Sequence, residues 1–498
     1  MMGSLRFRDL GLVGIAAAFW PLNIVSINLV GIVHPERLVA LVVPLWAVSL
    51  AAVLTLIRLG VSRSAAVHSI FVTTVIFMIG GGLIRLFDEG VGYGALLGVG
   101  ILTIWLINRL DGETLVVAVI WGGAVALLSG PVIGLYESLT NFGESVVVRS
   151  EKPDLTMNQT PDVFLIVLDG YPGALAMTQD GFGEHGGVVD ELESAGFEVP
   201  DSAWSSYWTT GLAIPSILDM GYPATRRWEG TATWKELFEI ISGGSWLHQV
   251  LEANGYTNHL VESGWTGSAC GLGVHRCVPS PLMDEAMHQT LRNSVISPVF
   301  RDFAGPFVEG ALASMKWLIE NGQDLGNSGT PDFVFAHVMA PHPPFVLDAD
   351  CAPNISLDRA GTTFNVPGVS EQRRERYMQE QIECVNEFMS RFASSVGHDS
   401  VIVFVADHGS DRRDQAQEET TEWSDEAVIE RLNVFLAVRA PGNCRVGDQV
   451  LTSNLLRTIL NCYSATDVQL NPPRMWVNPM TELEAVVVDR LLASSPGS

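Results

Sequence analysis

The stretch VFLIVLDGYP, residues 163–172, decides how the C-terminal part of this chain folds. Its apolar residues run without interruption over 163–168 and end directly at Asp169. A short and continuously apolar run is typical of a strand that is buried on both faces of a parallel sheet. Ligands of such sheets bind at the carboxyl ends of the strands. The stretch therefore predicts a buried strand that delivers a functional carboxylate.

A second stretch, VIVFVADHGSD at 401–411, repeats this arrangement and ends at the adjacent pair Asp407 and His408. The runs FVFAHVM at 333–339 and VFLAV at 434–438 look like further buried parallel strands, and helical patterns over 188–195, 245–254 and 371–395 lie between the runs. Strands that alternate with helices predict an α/β domain with a mostly parallel central sheet.

Asp169, Asp407 and His408 would meet at one edge of this sheet, because the carboxyl ends of parallel strands lie side by side. Two carboxylates and an imidazole form a mixed oxygen and nitrogen site. Such a site favours one divalent ion, Mn²⁺ or Zn²⁺, with Mg²⁺ less suited because of the nitrogen. Structural capping of the strand ends is the alternative for each residue.

A candidate nucleophile lies in SSYWTTGLAIPSIL, residues 205–218, where polar residues pass into an apolar helical run at Thr210. A hydroxyl at a helix N-terminus lies beside backbone N–H groups that can bind an anion. A neighbouring metal would make it a better nucleophile. Thr210 could instead be only a helix cap, and Thr209 is the alternative nucleophile one residue earlier.

A candidate substrate-contacting residue, His342, follows the strand in FAHVMAPHPPFVLDAD, residues 335–350. Pro341, Pro343 and Pro344 stiffen the loop that carries it. A rigidly held imidazole at this position could stabilise phosphate oxygens or protonate a leaving group. His337 lies within the strand itself, which favours a packing role or a supporting role beside the metal.

The first third of the chain contains five stretches that lack Asp, Glu, Lys and Arg: 10–35, 38–57, 64–84, 90–108 and 114–136. Each has the roughly 20 residues that a membrane-spanning helix needs. We therefore predict a five-helix membrane domain over 1–136, a linker over 137–159 and a catalytic domain over 160–498. The first stretch is too long for the apolar part of a cleaved signal peptide.

Arginines in the loops predict the orientation of these spans. One side of the predicted membrane carries Arg6, Arg8, Arg58, Arg63 and Arg109, and the other carries Arg37 and Arg85. Since the more basic side faces the cytoplasm, the N-terminus is predicted to be cytoplasmic. An odd number of spans then places the catalytic domain outside the cytoplasm.

The formal net charge of −26 falls entirely on residues 150–498, because acidic and basic residues balance in the first third. Such a field repels nucleic acid phosphates, and no Lys/Arg cluster opposes it. We therefore exclude nucleic acid as a partner, and the five predicted spans make the membrane bilayer the expected one. The sequence does not indicate an oligomeric state.

All six cysteines lie in the C-terminal part. An even number suits an oxidising compartment, and the close pair Cys270 and Cys277 is the best candidate for a disulfide. Sequential pairing would join Cys351 to Cys384 and Cys444 to Cys462, but fifteen pairings are possible. A zinc site is the competing interpretation, although no CxxC pair is present.

Taken in chain order, these elements resemble the alkaline phosphatase and sulfatase superfamily, and most closely its membrane branch typified by lipoteichoic acid synthase. That branch has five spans before an extracellular α/β domain. The resemblance implies that Asp169 is the first acidic metal ligand, where lipoteichoic acid synthase has a glutamate. It also implies that Thr210 is the metal-bound nucleophile, that Asp407 and His408 complete the metal site as a DHG motif, and that His342 contacts the substrate.

The resemblance implies a membrane-anchored, metal-dependent phosphotransferase that acts through a threonine on a phosphodiester such as a lipid-linked glycerophosphate. A phosphodiesterase or phosphatase would use the same residues and release the group to water. A catalytically degenerate envelope protein is the alternative outside enzymes. The CxPxR motif of formylglycine sulfatases is absent, since CAPNI at Cys351 lacks the arginine. No second metal triad is evident, so we expect one metal.

Overall fold

The computed structural model describes residues 6–28, 35–86, 98, 101, 102, 105, 109, 155–181, 187–223, 234–265, 267–281, 284–292, 294, 305–325, 329–354, 356, 359, 369–410, 412, 423–477 and 481–493. The chain divides into two compact units. The first comprises residues 1–146 together with 282–303, and the second comprises 147–281 together with 304–498.

The first unit is helical over its described part. Helices α1 (Phe7–Asn28), α2 (Val39–Arg58) and α3 (Arg63–Leu86) pack around a small apolar core, and a 3₁₀ turn, Pro35–Leu38, precedes α2. Among the described residues, α2 is the one helix that is long and apolar enough to cross a membrane by length and composition. The fourth and fifth predicted spans lie almost wholly outside the described residues, so the five-span arrangement stays a prediction.

A short helix from the middle of the sequence also belongs to the first unit. Helix α9 (Glu285–Arg292) contacts α1, α3 and the 3₁₀ turn. Just before it, Asp284 Oδ2 lies 3.4 Å from Nη1 of Arg37, and both side chains are largely buried. The apolar and polar patterns of residues 282–303 did not predict this association.

The central sheet of the second unit contains six strands among the described residues, in the order β4-β3-β5-β1-β6-β8. Their bounds are β1 Val163–Asp169, β3 Thr257–Val261, β4 Arg276–Val278, β5 Asp332–Pro341, β6 Val401–Ala406 and β8 Leu436–Arg439. All neighbours are parallel except β8, which runs antiparallel to β6. The predicted α/β domain with a mostly parallel sheet is confirmed, and so are the strands at 163–168, 333–339 and 401–406.

The run VFLAV at 434–438 is not the parallel strand that was predicted. It divides between β7 (Asn433–Val434), which pairs antiparallel with β2 (Ser202–Trp204), and the antiparallel edge strand β8. Strand β9 (Gln449–Leu451) joins β2, and β10 (Trp476–Val477) pairs with β11 (Thr481–Glu482). An apolar run indicates that a strand is buried but not whether it runs parallel or antiparallel to its neighbour, because both kinds of pairing bury the same side chains.

Helices pack on the sheets and supply most of the remaining core. Their bounds are α4 Ala174–Gln179, α5 Val188–Ser194, α6 Thr210–Leu218, α7 Trp234–Glu239, α8 Trp246–Ala253, α10 Gly305–Leu325, α11 Glu371–Ser395, α12 Asp425–Leu432, α13 Thr452–Tyr463 and α14 Ala485–Leu492. The helix predicted over 371–395 is confirmed, and those over 188–195 and 245–254 differ only at their ends, where helix assignments commonly vary.

Register places the candidate site at the carboxyl edge of this sheet. Leu168 of β1 pairs with Ala406 of β6 and with Val338 of β5. The residues at and just after the ends of these strands therefore lie side by side. This edge is where Asp169, Asp407 and His342 lie.

Three disulfides join Cys270 to Cys277, Cys351 to Cys384 and Cys444 to Cys462. The sequential pairing is confirmed, and no cysteine is left free. Cys270 and Cys277 lie close to the Glu262 carboxylate. Since their sulfurs are bonded to each other, they are not thiolate ligands, and the zinc interpretation of the cysteines is wrong.

Candidate active site

Two buried carboxylates lie next to each other at the ends of β1 and β6. Asp407 is held by its Oδ1, which accepts hydrogen bonds from the backbone N–H of Gly170 at 3.0 Å and of His408 at 2.8 Å. Asp407 Oδ2 and Asp169 Oδ1 are buried without a hydrogen-bond partner. Backbone donors therefore fix the position of one carboxylate, while one oxygen from each remains available to a ligand.

The imidazole of His408 presents a lone pair to these oxygens. Its Nδ1 lies 2.8 Å from the carbonyl oxygen of Gly409, and a carbonyl only accepts, so Nδ1 carries the proton. The unprotonated Nε2 lies 3.5 Å from Asp169 Oδ1 and 3.4 Å from Asp407 Oδ2. Three electron-rich atoms thus face one another.

Thr210 joins the same group from the first turn of α6. Its hydroxyl Oγ1 lies 3.2 Å from Nε2 of His408. Since Nε2 accepts, the hydroxyl is the donor. Thr209 is the residue that caps the helix, with extended backbone and no hydrogen bond from its side chain to the helix. Of the two threonines, Thr210 is the one whose hydroxyl contacts His408, next to Asp169 and Asp407.

His337 is closer to this cluster than its place within a strand suggested. It is fully buried on β5, and its Nε2 lies 3.4 Å from Asp169 Oδ2 without a hydrogen-bond partner. Ligand atoms of His337, Asp169 and Asp407 all lie within 4.8 Å of one another. Its Nδ1 faces the hydroxyl of Ser263 at 3.5 Å. A histidine six residues into a buried, apolar strand was the feature that could have revealed it.

The residues fit a divalent cation. Asp169, Asp407 and His408 place three acceptor atoms together in a buried position, where the Thr210 hydroxyl donates to the nitrogen and the two carboxylate oxygens have no donor among the described residues. Burying unpaired polar atoms and charges costs several kcal/mol each. A cation would satisfy all three at once, and carboxylate oxygen with imidazole nitrogen is a donor set that Mn²⁺ and Zn²⁺ accept.

The surroundings of Asp169 and His408 favour the ionised carboxylate and the neutral imidazole. Burial alone would raise the pKa of the Asp169 carboxyl, but the imidazoles of His342, His337 and His408 hold this pKa below its usual range. Burial lowers the pKa of His408, and the nearby guanidinium of Arg431 lowers it further. An ionised carboxylate and a neutral imidazole are the forms that bind metal.

His342 lies beside this group, in the loop that follows β5. It is half-buried, its Nδ1 donates to the carbonyl of Pro343, and its ring centre lies 6.1 Å from that of His408. Its own carbonyl accepts a hydrogen bond from Gln381 at 3.0 Å. The structure therefore brings all of the predicted site residues to one edge of the sheet: Asp169, Thr210, His342, Asp407 and His408.

A small pocket opens next to His342. It is lined by Gly170, Pro341, His342, Pro343, Phe345, Met378, Gly409, Ser410 and Arg431. Arg431 and Ser410 were not predicted as site residues, since one arginine in a helical stretch and one serine after DHG carry no distinctive pattern. A Cβ at position 409 would lie 2.0 Å from the Glu430 carbonyl oxygen, so only glycine lets these two segments approach so closely.

Comparison with known proteins found one matching family model. Residues 201–435 match the sulfatase family model. No curated protein sequence matches the chain. The matched segment begins after Asp169 but includes Thr210, His342, Asp407 and His408.

Several solved structures are similar to part of this chain at low identity. The periplasmic domain of EptC from Escherichia coli is 12% identical with a TM-score of 0.42, covering 67% of this chain and 95% of its own. The periplasmic domain of phosphoethanolamine transferase EptC from Campylobacter jejuni is 11% identical with a TM-score of 0.39, covering 66% and 98%. Phosphonate monoester hydrolase of Agrobacterium radiobacter is 14% identical with a TM-score of 0.38, covering 62% and 75%.

Likeness at these scores carries no argument about substrate. The family model, the α/β domain with its parallel sheet, and the site residues at the carboxyl edge agree with one another. Residues 201–435 of the chain match the sulfatase family, and the residues that this family match contains agree with a metal-dependent enzyme that acts on phosphate or sulfate esters.

Proposed function

We propose that this protein is a membrane-anchored phosphotransferase that passes a group from a phosphodiester, through Thr210, to an acceptor alcohol outside the cytoplasm. The carrying observation is the contact of the Thr210 hydroxyl with the lone pair of His408, beside the unpaired oxygens of Asp169 and Asp407. The Thr210 hydroxyl therefore lies where a cation bound by Asp169, Asp407 and His408 would activate it.

Asp169, Asp407 and His408 would hold one divalent cation, Mn²⁺ or Zn²⁺ in preference to Mg²⁺, with Thr210 as the fourth ligand. The cation would make the Thr210 hydroxyl easier to deprotonate and would stabilise negative charge on the phosphoryl oxygens. His337 would hold the second oxygen of Asp169 in place.

Thr210 would attack the phosphorus while its hydroxyl proton leaves to solvent. The bond between phosphorus and the leaving alcohol breaks, and His342, in its imidazolium form, gives the proton on Nε2 to that alcohol. The acceptor alcohol then gives its proton to His342 and attacks the phosphothreonine. The bond between phosphorus and the Thr210 oxygen breaks, and this oxygen takes a proton from solvent. Two backbone N–H groups at the start of α6, those of Thr210 and Gly211, have no backbone acceptor within the described part of the chain and would bind phosphoryl oxygens.

The anchor and the orientation are part of the proposal. We divide the chain into a five-helix membrane domain over 1–136, a linker over 137–159 and an extracytoplasmic catalytic domain over 160–498.

A lipid-linked donor fits an enzyme that is held at the membrane surface, and the acidic catalytic domain makes nucleic acid a poor partner. Transfer and hydrolysis share every residue of the site. They differ in what accepts the group, so the experiment must follow the product as well as the nucleophile.

The test uses the full chain, purified in detergent with Mn²⁺ or Zn²⁺ and incubated with phosphatidylglycerol carrying a labelled headgroup. We expect diacylglycerol, label on Thr210 after acid quenching, and transfer of this label to an added alcohol. Thr210→Ala should lose the label and turnover, whereas Thr209→Ala should keep both. Label on Thr209 would move the nucleophile, and free glycerophosphate as the sole product would replace the transferase with a hydrolase.

A further inference from the structure

Arg431 is a buried cation for which the described residues provide no carboxylate within 4.0 Å. The residue is 8% exposed, and its recorded partners are backbone carbonyls. Arg439 is a second buried arginine that donates to backbone carbonyls, but Arg431 differs from it in lining a pocket beside His342. Buried charges are normally paired, because removing an ion from water is costly.

Backbone carbonyls hold the guanidinium in one orientation. Its Nε donates to the carbonyl of Trp208 at 2.7 Å, and its Nη1 donates to those of Gly409 at 3.3 Å and Ser410 at 3.4 Å. Trp208 lies two residues before Thr210, and Gly409 follows His408. Arg431 is therefore fixed to the two segments that carry the nucleophile and the DH pair, while its Nη2 has no acceptor within the described part of the chain.

Ser410 adds a second unpaired donor to the same pocket. Its side chain is buried, and its hydroxyl has no hydrogen-bond partner among the residues that the structure describes. Arg431, Ser410 and His342 line one pocket, and Phe345 and Met378 form its apolar wall. A guanidinium and a hydroxyl that converge on one space match an oxyanion, which accepts from both.

We propose that Arg431 and Ser410 form a subsite for a nonbridging oxygen of the phosphoester, which they hold while Thr210 attacks. The inference rests on the function proposed above. Negative charge on the phosphoryl oxygens is what this class of reaction must stabilise. The apolar wall at Phe345 and Met378 then faces the uncharged remainder of the group that is transferred.

The test measures binding of inorganic phosphate by calorimetry to the full-length Thr210→Ala protein, which cannot form a phosphoenzyme. Adding Arg431→Gln should weaken phosphate binding by at least tenfold, and adding Ser410→Ala by about threefold. The matched control is Arg490→Gln, since Arg490 is an exposed arginine that pairs with Asp425 at 2.7 Å. This control should leave the affinity for phosphate unchanged.

Arg431→Lys separates anion binding from a merely structural role. Lysine keeps the charge but loses the fork that bonds the three carbonyls, so it should retain more phosphate affinity than Arg431→Gln while losing similar thermal stability. Equal phosphate affinity in the Lys and Gln variants, or an unchanged affinity in Arg431→Gln, would overturn the subsite. Absence of phosphate binding by Thr210→Ala itself would overturn it too.

These results are independent of the phosphoenzyme experiment. If Thr210 carries label but Arg431→Gln binds phosphate normally, the subsite fails and the proposed function stands. If phosphate binding depends on Arg431 but no label reaches Thr210, the subsite stands and the proposed nucleophile fails.

Discussion

Two buried groups of histidine and aspartate lie at opposite ends of the central strands, and they differ in whether their polar atoms are paired. Near the amino end, His259 Nε2 and Asp332 Oδ1 form a hydrogen bond of 2.8 Å, and the Asp332 N–H donates to Asp162. At the carboxyl end, His408 Nε2 lies 3.4 to 3.5 Å from Asp407 and Asp169, with its proton on the other nitrogen.

The same residue types thus serve two purposes. The first group is complete as folded and needs no ligand. The second holds lone pairs together and requires a cation to balance them. A buried His–Asp pair alone therefore does not indicate a metal site, whereas a pair whose proton points away from the carboxylates does.

The largest effect expected is on catalysis when the carboxyl-end group changes. Asp407→Asn should lower kcat/KM by about 10³-fold or more, because it removes a ligand charge at the reacting centre. Metal content should fall with it. Asp332→Asn is the matched control: it should leave kcat/KM within about threefold while destabilising the fold by about 1 to 3 kcal/mol. Comparable loss of activity in both variants would remove the distinction between the two groups.

Removal of the metal by a chelator should reverse the order of thermal stability of the wild type and Asp407→Asn. With saturating metal, the wild type should melt higher than the variant, since a ligand at about 100 times its Kd adds about 2.7 kcal/mol. After chelation the wild type should lose this gain and melt below the variant, because two unpaired carboxylates then repel each other. Thermal melts in detergent, with and without chelator, measure the order. A wild type that stays the more stable protein after chelation would contradict the unpaired state.

His337→Gln should weaken metal binding by about 10- to 100-fold, since residues that orient metal ligands typically contribute that much. The physical reason is the loss of an imidazole beside Asp169 Oδ2. Metal titration at fixed pH provides the measurement, with His259→Gln as the control from the amino end. An affinity that changes equally little in both variants would assign His337 to packing alone.

The smallest effect concerns acid stability. His248 is another buried histidine, and burial lowers its pKa to about 3. In the unfolded chain a histidine has a pKa of about 6.5. As the pH falls from this value toward about 3, the unfolded chain therefore binds a proton at His248 that the folded protein does not bind. Stability is then lost toward acid by at most about 1.4 kcal/mol per pH unit.

In His248→Gln this contribution is absent, so the gap in melting temperature between wild type and variant should narrow from pH 7 to pH 4.5. His398→Gln changes an exposed histidine and should follow the wild-type slope. Parallel slopes for all three proteins would mean that protonation of His248 does not drive acid unfolding.

Much of the fold and the candidate site could be predicted from local patterns. Continuous apolar runs predicted β1, β5 and β6, because strands covered on both faces need apolar residues throughout. Polar residues at the ends of these runs predicted Asp169, Asp407 and His408, since ligands gather at that edge. The long helical pattern over 371–395 predicted both ends of α11.

Other features depended on partners that are distant in sequence. The direction of β8 depends on which strand it meets, so an apolar run alone misplaced it. Arg431 and Ser410 became candidates only when their place beside the pocket was visible, whereas the sequence had left His337 between packing and a supporting role beside the metal. The assignment of residues 282–303 to the first unit likewise rests on contacts such as Arg37 with Asp284.

By itself the sequence determined the α/β class, the apolar N-terminal third, the acidic C-terminal part and the residues able to hold a cation. These follow from composition and local periodicity, which any folded form of the chain must respect. Only the tertiary structure decided which lone pairs face one another, which cation is left unpaired and which cysteines join. Pairing is a matter of distance and direction between residues up to hundreds of positions apart, and no local pattern contains that information.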